Sequence, residues 1–390
     1  MNLVNMQYFF ILGRHPELSK SEIQAKFNQS EIKSKEIIST NTFQVFDLES
    51  EINPSEFIDQ LGGTIKIGKV IANLKNINVD ALFPLIPESD TKINFGLSTY
   101  DCNVKIMNIG KDLKRKLKEQ GLKARFVSSK ENPLSSVIVK KNHLLNKGIE
   151  LVIMKSEEIY IIGQTLDVQP FEKLSMIDYG RPARDDKSGM LPPKLAQIML
   201  NLAEVPSKGL ILDPFCGSGT VIQQALLLGY KKVIGSDSSE KAIEDSKANL
   251  RWLSSKLERK FQYNLFVAKS TNVTKEVLPE SIDAVVTEPY LGPPLTGKES
   301  ADELKRIMVS LAKLYKDTFK TLEYILKENG SIVIIMPTIK TRKQDYKIDM
   351  MKVLPGSLKI DKTWEYSRPG QHVVRKIYKL TKQKKTKISN

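Results

Sequence analysis

The sequence predicts an α/β protein whose C-terminal half is a doubly wound, mostly parallel sheet, preceded by α+β regions. After residue 190, the near-continuous apolar runs "GLILDPF", "KKVIGSD", "IDAVVTEP" and "GSIVIIMP" alternate with helical patterns. Strands of this kind are buried on both faces of a parallel sheet. Glycines follow the first of these strands, where such sheets form a ligand crevice. Before residue 167, short strands are mixed with few helices.

Composition narrows the class of partner. The chain has 390 residues, of which 41% are hydrophobic and 27% charged, and its net charge is +15. A surplus of Lys and Arg favours a polyanionic partner, either nucleic acid or an anionic membrane, although a generally basic proteome would give the same excess. Because only two cysteines and three histidines occur, we expect no disulfide framework and no metal site.

Hydropathy bears on location. No apolar run approaches the roughly 18 residues that a membrane-spanning helix needs. The N-terminal "MQYFFILG" lacks a basic region and a small-residue cleavage site, so it predicts a strand and not a signal peptide. We therefore expect a cytoplasmic protein.

Residues 1–80 predict a small α+β, ferredoxin-like domain. Its strands are "QYFFILG", "TFQVFDL" and the Gly-punctuated "LGGTIKIGKVI", which are rich in β-branched and aromatic residues. Between the first two strands, "HPELSKSEIQAKF" opens with Pro-Glu and repeats apolar residues on one helical face at Leu18, Ile23 and Phe27. This pattern is typical of an amphipathic helix.

Residues 81–166 predict a second domain with a basic surface. "TKINFGLSTYD" and "ELVIMKSEEIYIIGQT" indicate strands, "IGKDLKRKLKEQGLKARF" indicates a helix, and "SSVIVKKN" indicates a further strand. Residues 111–125 hold seven basic and two acidic side chains, a net charge of +5. These charges are either a solvated helix face or a platform for RNA phosphates. The second interpretation assigns RNA contacts to Lys114, Arg115, Arg125, Lys140 and Lys141.

The stretch "FEKLSMIDYGRPARDDKSGM" has no clear periodicity, so residues 167–190 are predicted to be a linker. A domain over residues 191–382 then begins with the helix "LPPKLAQIMLNLAEV", which has Pro where a missing N–H is tolerated. A long helix is expected at about residues 300–328, and "LKIDKTWEYS" with "HVVRKIYKL" predicts a closing antiparallel pair. The basic tail, residues 383–390, is predicted to be disordered.

The turn in "ILDPFCGSGT" is the strongest candidate for a cofactor site. A dinucleotide would need a small residue where Ile222 stands, and its pyrophosphate would face the like charge of Asp213. S-adenosylmethionine carries an ammonium and a sulfonium but no phosphate, so a carboxylate at Asp213 suits it. Asp237 ends the next strand, where it can accept both ribose hydroxyls. The remaining alternative is a structural turn that binds no cofactor.

"DPFCGSGT", the following "GSD" and a later carboxylate-Pro motif resemble the class I methyltransferases that modify exocyclic amines. "RPARDDKSGMLPPKLAQIMLNLA", "YFFILGRHPELSKSEI" and "LGGTIKIG" resemble one branch, the THUMP-domain tRNA guanine-N2 methyltransferases. The resemblance runs to about residue 380. It implies a Rossmann-like, seven-stranded methyltransferase domain, a THUMP-like domain over residues 81–166, and methylation of guanosine at position 10 of tRNA, in some relatives with a small activator protein. The S-adenosylmethionine site that it implies comprises Asp213, Phe215, Gly217, Gly219, Thr220, Asp237 and Ser238.

The loop "EPYLGPP" is the candidate catalytic segment. An exocyclic amine is a weak nucleophile, and acceptors beside its N–H groups localise its lone pair and aim it. We assign the carboxylate role to Glu288, the direction of a backbone carbonyl to Pro289 and base stacking to Tyr290. The resembled family has Asp-Pro-Pro-Tyr here, so this loop is either a variant of that site, a site for another base, or a plain Pro-rich loop.

One further departure from the family and one late turn leave alternatives open. Lys269 and Ser270 stand where relatives carry an acid that binds the adenine amine. Arg368 and Arg375 flank a Pro-Gly turn, where they either contact RNA or form an exposed hairpin. The alternatives to a position-10 tRNA enzyme are an N2-guanine methyltransferase for ribosomal RNA or another tRNA position, an adenine-N6 methyltransferase of DNA, and a catalytically silent RNA-binding scaffold.

Overall fold

The computed structural model describes residues 6–184, 190–368 and 370–384. Two compact units divide the chain, one comprising Met1–Ile23 and Ser30–Lys173 and the other Gln24–Gln29 and Leu174–Asn390. From residue 385 onward, the predicted disordered tail lies outside the described residues.

The N-terminal unit is built on one eight-stranded sheet with the strand order β2-β3-β1-β4-β8-β7-β5-β6. Its pairings are antiparallel except that β5 runs parallel to both β6 and β7. The two segments predicted as separate domains both contribute strands to it, through the pairing of β4 with β8. The elements are β1 (Met6–Leu12), α1 (Pro16–Gln29), β2 (Ser34–Ser39), β3 (Phe43–Leu48), α2 (Pro54–Asp59), β4 (Thr64–Leu74), α3 (Val79–Leu82), β5 (Ile93–Tyr100), α4 (Ile106–Glu119), β6 (Ala124–Val127), α5 (Ser136–Lys141), β7 (Gly148–Ser156) and β8 (Ile159–Val168), with a 3-10 turn at Phe83–Leu85.

One prediction for this half of the chain is wrong. "SSVIVKKN" forms the helix α5 and not a strand, because the Ser135 side chain caps it by accepting a hydrogen bond from the Ile138 amide at 3.3 Å. A short apolar run does not distinguish a strand from a helix by period alone. The predicted linker contains a helix, α6 (Phe171–Tyr179), which buries Leu174 and Ile177.

A buried ion pair lies inside the N-terminal sheet. Lys66 on β4 donates to Glu150 on β7 at 2.5 Å, and the two side chains are 1% and 0% exposed. Ser98 on β5 and Thr165 on β8 each donate to the same carboxylate at 2.6 Å. These bonds link four neighbouring strands and satisfy the buried charge, which would otherwise carry a large desolvation penalty.

The C-terminal unit has the predicted doubly wound architecture. Its strand order is β11-β10-β9-β12-β13-β16-β15, with the short β14 added beside β13. The pairings from β11 to β13 are parallel, and those of β16 with β13 and β15 are antiparallel, which confirms the predicted closing pair. The elements are α7 (Pro193–Leu202), β9 (Leu210–Asp213), α8 (Thr220–Leu227), β10 (Lys232–Asp237), α9 (Glu240–Leu257), β11 (Asn264–Val267), β12 (Ile282–Thr287), α10 (Ala301–Ile325), β13 (Leu326–Lys340), β14 (Asp345–Lys347), α11 (Met350–Val353), β15 (Leu358–Tyr366) and β16 (Val373–Lys382), with a 3-10 turn at Ser270–Lys275.

The strand order reverses beside β9. The chain moves outward from β9 to β10 and β11, and then returns to place β12 on the other side of β9. Ligands of open α/β sheets bind at such a reversal, beyond the carboxyl ends of the strands. Among the described residues, no helix combines the length and apolar character needed to cross a membrane.

Candidate functional site

A cleft of about 1110 Å³ opens at the reversal point of the C-terminal sheet. Most of its lining comes from the segments just after the carboxyl ends of β9, β10, β11 and β12. The start of β16 also contributes. The cleft therefore brings together residues that are far apart in sequence. Among them are Asp213, Gly217, Asp237, Lys269, Glu288 and Arg375.

The glycine-rich turn between β9 and α8 requires its glycines. Gly217 and Gly219 have φ angles of 51° and 85°, in the left-handed region that other residues rarely adopt. A Cβ on Gly219 would also lie 2.9 Å from the Ser246 hydroxyl. The same hydroxyl donates to the Gly217 carbonyl at 2.7 Å, so α9 holds the turn in place.

Asp213 lies at the base of the cleft and is 2% exposed. Its Oδ1 accepts hydrogen bonds from the Thr287 hydroxyl at 2.6 Å and from the Phe215 amide at 3.1 Å. Burial raises the pKa of Asp213 to about 7, and the nearby charges of Asp237 and Glu288 add to that rise. A cation bound here would offset the burial and favour the ionised carboxylate.

Asp237 ties the end of β10 to the glycine turn. Its Oδ2 accepts a hydrogen bond from the Gly217 amide at 3.1 Å, and its Oδ1 accepts one from the Ser239 amide at 2.9 Å. An ionised carboxylate has further acceptor sites, and both Asp237 and Ser238 line the cleft. The position suits a ligand that presents hydroxyl donors.

The loop after β11 supplies no carboxylate to the cleft. Lys269 is exposed along the cleft wall, and the buried Ser270 hydroxyl is within 2.8 Å of the Thr318 hydroxyl on α10. A ligand's exocyclic amine at this wall would therefore have to find another acceptor, such as a backbone carbonyl.

Glu288, directly after β12, forms an ion pair that the sequence did not predict. Arg375 on β16 donates from Nε to Oε1 at 2.5 Å and from Nη2 to Oε2 at 3.4 Å. The two side chains are only 12% and 11% exposed. Burial raises the pKa of the Glu288 carboxyl, and Arg375 opposes that rise. The guanidinium thus compensates a carboxylate that has lost most of its water.

Tyr315 on α10 anchors the loop that follows. Its hydroxyl donates to the Tyr290 carbonyl at 2.6 Å, and burial raises its pKa far above the usual range. Pro289 is buried, whereas Tyr290 is 57% exposed and lines the cleft. The loop backbone is therefore fixed while an aromatic ring remains accessible to a ligand.

The structure brings most of the predicted site residues together. The predicted catalytic and cofactor residues all line the cleft except Gly219, which caps α8 behind it. Thr220 is largely buried, and its hydroxyl accepts a hydrogen bond from Arg181 at 2.7 Å.

The predicted RNA contacts are dispersed. Arg375 lines the cleft. Arg368 is exposed, and a hydrogen bond with the Tyr366 side chain raises the pKa of Arg368. The other five are exposed in the N-terminal unit, where Arg115 pairs with Asp112 at 3.0 Å and Lys140 with Glu172 at 2.5 Å.

Sequence reasoning missed three residues that organise this site: Thr287, Tyr315 and Asn249. Asn249 accepts a hydrogen bond from the Ala183 amide and donates to the carbonyls of Ala183 and Ser218, each at 2.9 Å. It thus fastens the segment before α7 to the glycine turn. In the sequence, Thr287, Tyr315 and Asn249 differ from their surroundings only as polar residues within apolar patterns. Within the described ranges, no group of three or more His, Cys, Asp or Glu side chains could hold a metal ion.

The sequence of this region matches a known family. Residues 181–352 match the UPF0020 family, described as an RMKL-like methyltransferase domain. The chain is 30% identical over 151 residues to the tRNA (guanine(10)-N2)-dimethyltransferase of Methanothermobacter thermautotrophicus, and this match spans 38% of the chain but only 39% of that relative. It is 25% identical over 315 residues to the protein of the same name from Pyrococcus abyssi, across 78% of the chain and 84% of the relative.

A solved structure shares the fold. TrmN from Thermus thermophilus is similar with a TM-score of 0.57 at 16% identity, across 96% of this chain and 99% of that one. The likeness shows that the chain shares the doubly wound α/β fold of that structure. Residues 181–352 of this chain are therefore similar to a methyltransferase domain of the RMKL-like family.

Proposed function

We propose that the protein is an S-adenosylmethionine-dependent tRNA (guanine-N2-)-methyltransferase that acts on guanosine at position 10. The observation that carries the proposal is the convergence of Asp213, Asp237 and Glu288 in one cleft at the reversal point of the sheet. The matched relatives named tRNA (guanine(10)-N2)-dimethyltransferase support the same substrate. With tRNA as the substrate, we propose a cytoplasmic location.

The cleft residues fit S-adenosylmethionine. Asp213 is a buried acid with a raised pKa, and its hydrogen-bond donors within the described residues, the Thr287 hydroxyl and the Phe215 amide, are neutral, so it suits the ligand's ammonium group. Asp237 is placed to accept the ribose hydroxyls, and the glycine turn lets the backbone approach closely. When bound, the cofactor supplies an electrophilic methyl group and leaves as a neutral thioether.

In the proposed reaction, Glu288 acts on the exocyclic amine of the target guanine. Its carboxylate accepts a hydrogen bond from the exocyclic amine, which concentrates electron density on the nitrogen and aims it at the methyl carbon. As the carbon–nitrogen bond forms and the carbon–sulfur bond breaks, the nitrogen sheds one proton, and Glu288 is placed to receive it. The exposed ring of Tyr290 would stack on the extruded base.

The N-terminal half would bind the tRNA. We propose that the THUMP-like segment, residues 81–166, contacts phosphates through Lys114, Arg115, Arg125, Lys140 and Lys141, without reading base sequence. Arg368 would add a contact near the catalytic loop. A small activator protein belongs to this proposal only if the purified chain binds cofactor and tRNA but transfers no methyl group.

The decisive experiment is mass spectrometry of nucleosides from tRNA incubated with the protein and methyl-labelled S-adenosylmethionine. Labelled N2-methylguanosine, lost in Glu288→Ala, is expected. Another labelled nucleoside would keep the methyltransferase activity but change the modified base, whereas label in ribosomal RNA or DNA and not in tRNA would favour those alternatives. Cofactor binding without label, even with added cell extract, would favour the RNA-binding scaffold. Tyr324→Ala, at a tyrosine on α10 that is 55% exposed, is the matched control.

A further inference from the structure

The ion pair between Glu288 and Arg375 joins the catalytic loop to the far side of the sheet. The sheet order places β13 between β12, which precedes Glu288, and β16, which carries Arg375. Arg375 therefore reaches across a whole strand to present two donors to one carboxylate. A planar guanidinium is suited to this geometry, because two parallel N–H groups fix the orientation of the acceptor as well as its charge.

We propose that Arg375 is a positioning residue that holds Glu288 as an oriented carboxylate, so that the loop presents only hydrogen-bond acceptors and thereby selects guanine over adenine. The proposal rests on the proposed guanine-N2 methylation and adds the residue that enforces the base choice.

Arg375 is the cation that compensates Glu288. Asp213 and Asp237 also border the cleft and carry the same charge as Glu288, and Tyr315 and Tyr290 bring no positive charge. Lys269 is exposed, so water screens its charge. Without Arg375, burial would favour the protonated carboxyl of Glu288, and the charge coupling between Asp213 and Glu288 would act in the same direction. Besides Glu288, the titratable and charged groups around the cleft are Asp213, Cys216, Asp237, Lys269, Tyr290, Tyr315, His372 and Arg375.

Ionisation decides which base the loop can read. A carboxylate offers about four acceptor sites and no donor, and Arg375 uses two of them. On the Watson–Crick edge of guanine, the N2 amine and the adjacent N1–H are both donors, and the O6 acceptor lies beyond them. Adenine presents an acceptor at N1 beside its N6 amine, which a carboxylate repels. A protonated Glu288 could donate to that acceptor, so loss of Arg375 should weaken the discrimination as well as the rate.

The direct test measures the ionisation of Glu288 without requiring turnover. Protein labelled with carbon-13 at Glu carboxyls is titrated by NMR, and the Glu288 signal is assigned by its loss in Glu288→Gln. We expect Arg375→Met to raise the Glu288 pKa by about one unit or more, whereas Lys376→Met, on the opposite face of β16, leaves it unchanged. Arg375→Lys retains a charge and should give a smaller rise. An unchanged pKa in Arg375→Met would overturn the proposal.

Kinetics test the consequence. The Arg375→Met rate should fall about tenfold per pH unit below the raised pKa and recover at alkaline pH, while wild type and Lys376→Met stay nearly flat over that range. Arg375→Lys should be slower at every pH because its single ammonium cannot orient both oxygens. A loss of rate that is equal at all pH values in Arg375→Met would mean a structural role only. If Arg375→Met fails to bind S-adenosylhomocysteine, Arg375→Lys decides the question by the same two measurements.

Base choice is scored by competing the natural tRNA with one that carries adenosine at the target position. Arg375→Met should narrow the preference for guanosine at acidic pH, and an unchanged preference would contradict the selection role. If the wild-type protein methylates no RNA, the proposed function fails, but the NMR titration still reports whether Arg375 holds Glu288 ionised.

Discussion

The Thr287 hydroxyl donates a hydrogen bond to Asp213 Oδ1 at 2.6 Å and joins the ends of two neighbouring parallel strands. Thr287 is the last residue of β12 and Asp213 the last of β9. Because Glu288 follows Thr287 directly, this bond couples the proposed methyl-donor site to the proposed catalytic loop. It also favours the ionised form of Asp213, against the burial that raises its pKa to about 7.

Thr287→Val should therefore weaken cofactor binding most at low pH. Losing the donor raises the Asp213 pKa further, and the neutral acid no longer attracts a ligand ammonium. We expect S-adenosylhomocysteine affinity to fall by about tenfold at pH 7, the equivalent of one charged hydrogen bond, and to recover partly at pH 8.5. Calorimetric titrations at both values check this. Thr363→Val, on the exposed face of β15, is the control, and an equal loss at both pH values would contradict the explanation.

Asp213→Asn should stabilise the ligand-free protein while abolishing cofactor binding. The folded-state pKa of Asp213, about 7, is above its usual value of 3.8. Its stabilising contribution is therefore complete below about pH 4 and is lost as pH rises towards 7. The neutral amide avoids this loss, so the free energy of unfolding should exceed that of wild type by on the order of 2 kcal/mol at pH 8, and by less at pH 5.

Urea unfolding at the two pH values measures this difference. A variant that is less stable than wild type at pH 8 would show that the carboxylate is already compensated in the ligand-free protein.

Tyr290 should contribute by stacking, not by its hydroxyl. Its ring is 57% exposed at the cleft, while its carbonyl is held by Tyr315. Base–aromatic stacking is worth about 1–3 kcal/mol, so Tyr290→Ala should lower kcat/KM for tRNA by roughly tenfold to a hundredfold, whereas Tyr290→Phe should retain most activity. Tyr324→Ala, at an exposed tyrosine outside the cleft lining, controls for general effects. Equal defects in Tyr290→Phe and Tyr290→Ala would assign the role to the hydroxyl.

The predicted phosphate contacts should appear in the salt dependence of tRNA binding. Arg125 lies on β6, at one edge of the N-terminal sheet, and Lys33 lies beside β2 at the other edge. Each phosphate contact contributes about 0.7–0.9 to the slope of log affinity against log salt. Arg125→Ala with Lys114→Ala should reduce that slope by roughly 1–2, whereas Lys33→Ala should not change it. Filter binding between about 50 and 300 mM salt, over which the Debye length falls by roughly half, provides the measurement. Unchanged slopes in the double variant would remove these residues from the RNA surface.

Sequence pattern predicted the architecture of the C-terminal unit because its strands are apolar runs of a parallel sheet separated by helices, and local pattern suffices for that. It also identified the glycine turn and Glu288, since both follow such strands directly. The pairing of Glu288 with Arg375 joins positions that are 87 residues apart, and the bond from Thr287 to Asp213 spans 74 residues. No local pattern encodes either contact, because both depend on strand order.

The wrong assignment of α5 as a strand also follows from this limit of local pattern. Helix α5 is a single short segment whose apolar run fits either period, and only the capping bond of Ser135 distinguishes them. The basic helix α4 was predicted from its period, with Leu113 and Leu117 buried and its charges outside.

The buried pair of Lys66 and Glu150 should dominate the stability of the N-terminal unit. Lys66→Met leaves a carboxylate that is 0% exposed with only the hydroxyls of Ser98 and Thr165 as partners. Removal of one member of a buried pair typically destabilises by about 3–5 kcal/mol. Lys69→Met, on the same strand, breaks a pair with Glu51 whose side chains are 36% and 64% exposed, and should lose less than about 1 kcal/mol. Chemical unfolding of both variants checks the contrast.

Adding Glu150→Gln to Lys66→Met should recover part of the lost stability because the amide carries no charge. A double variant that is less stable than Lys66→Met would show that Glu150 is stabilised by its hydroxyl donors and not by the lysine.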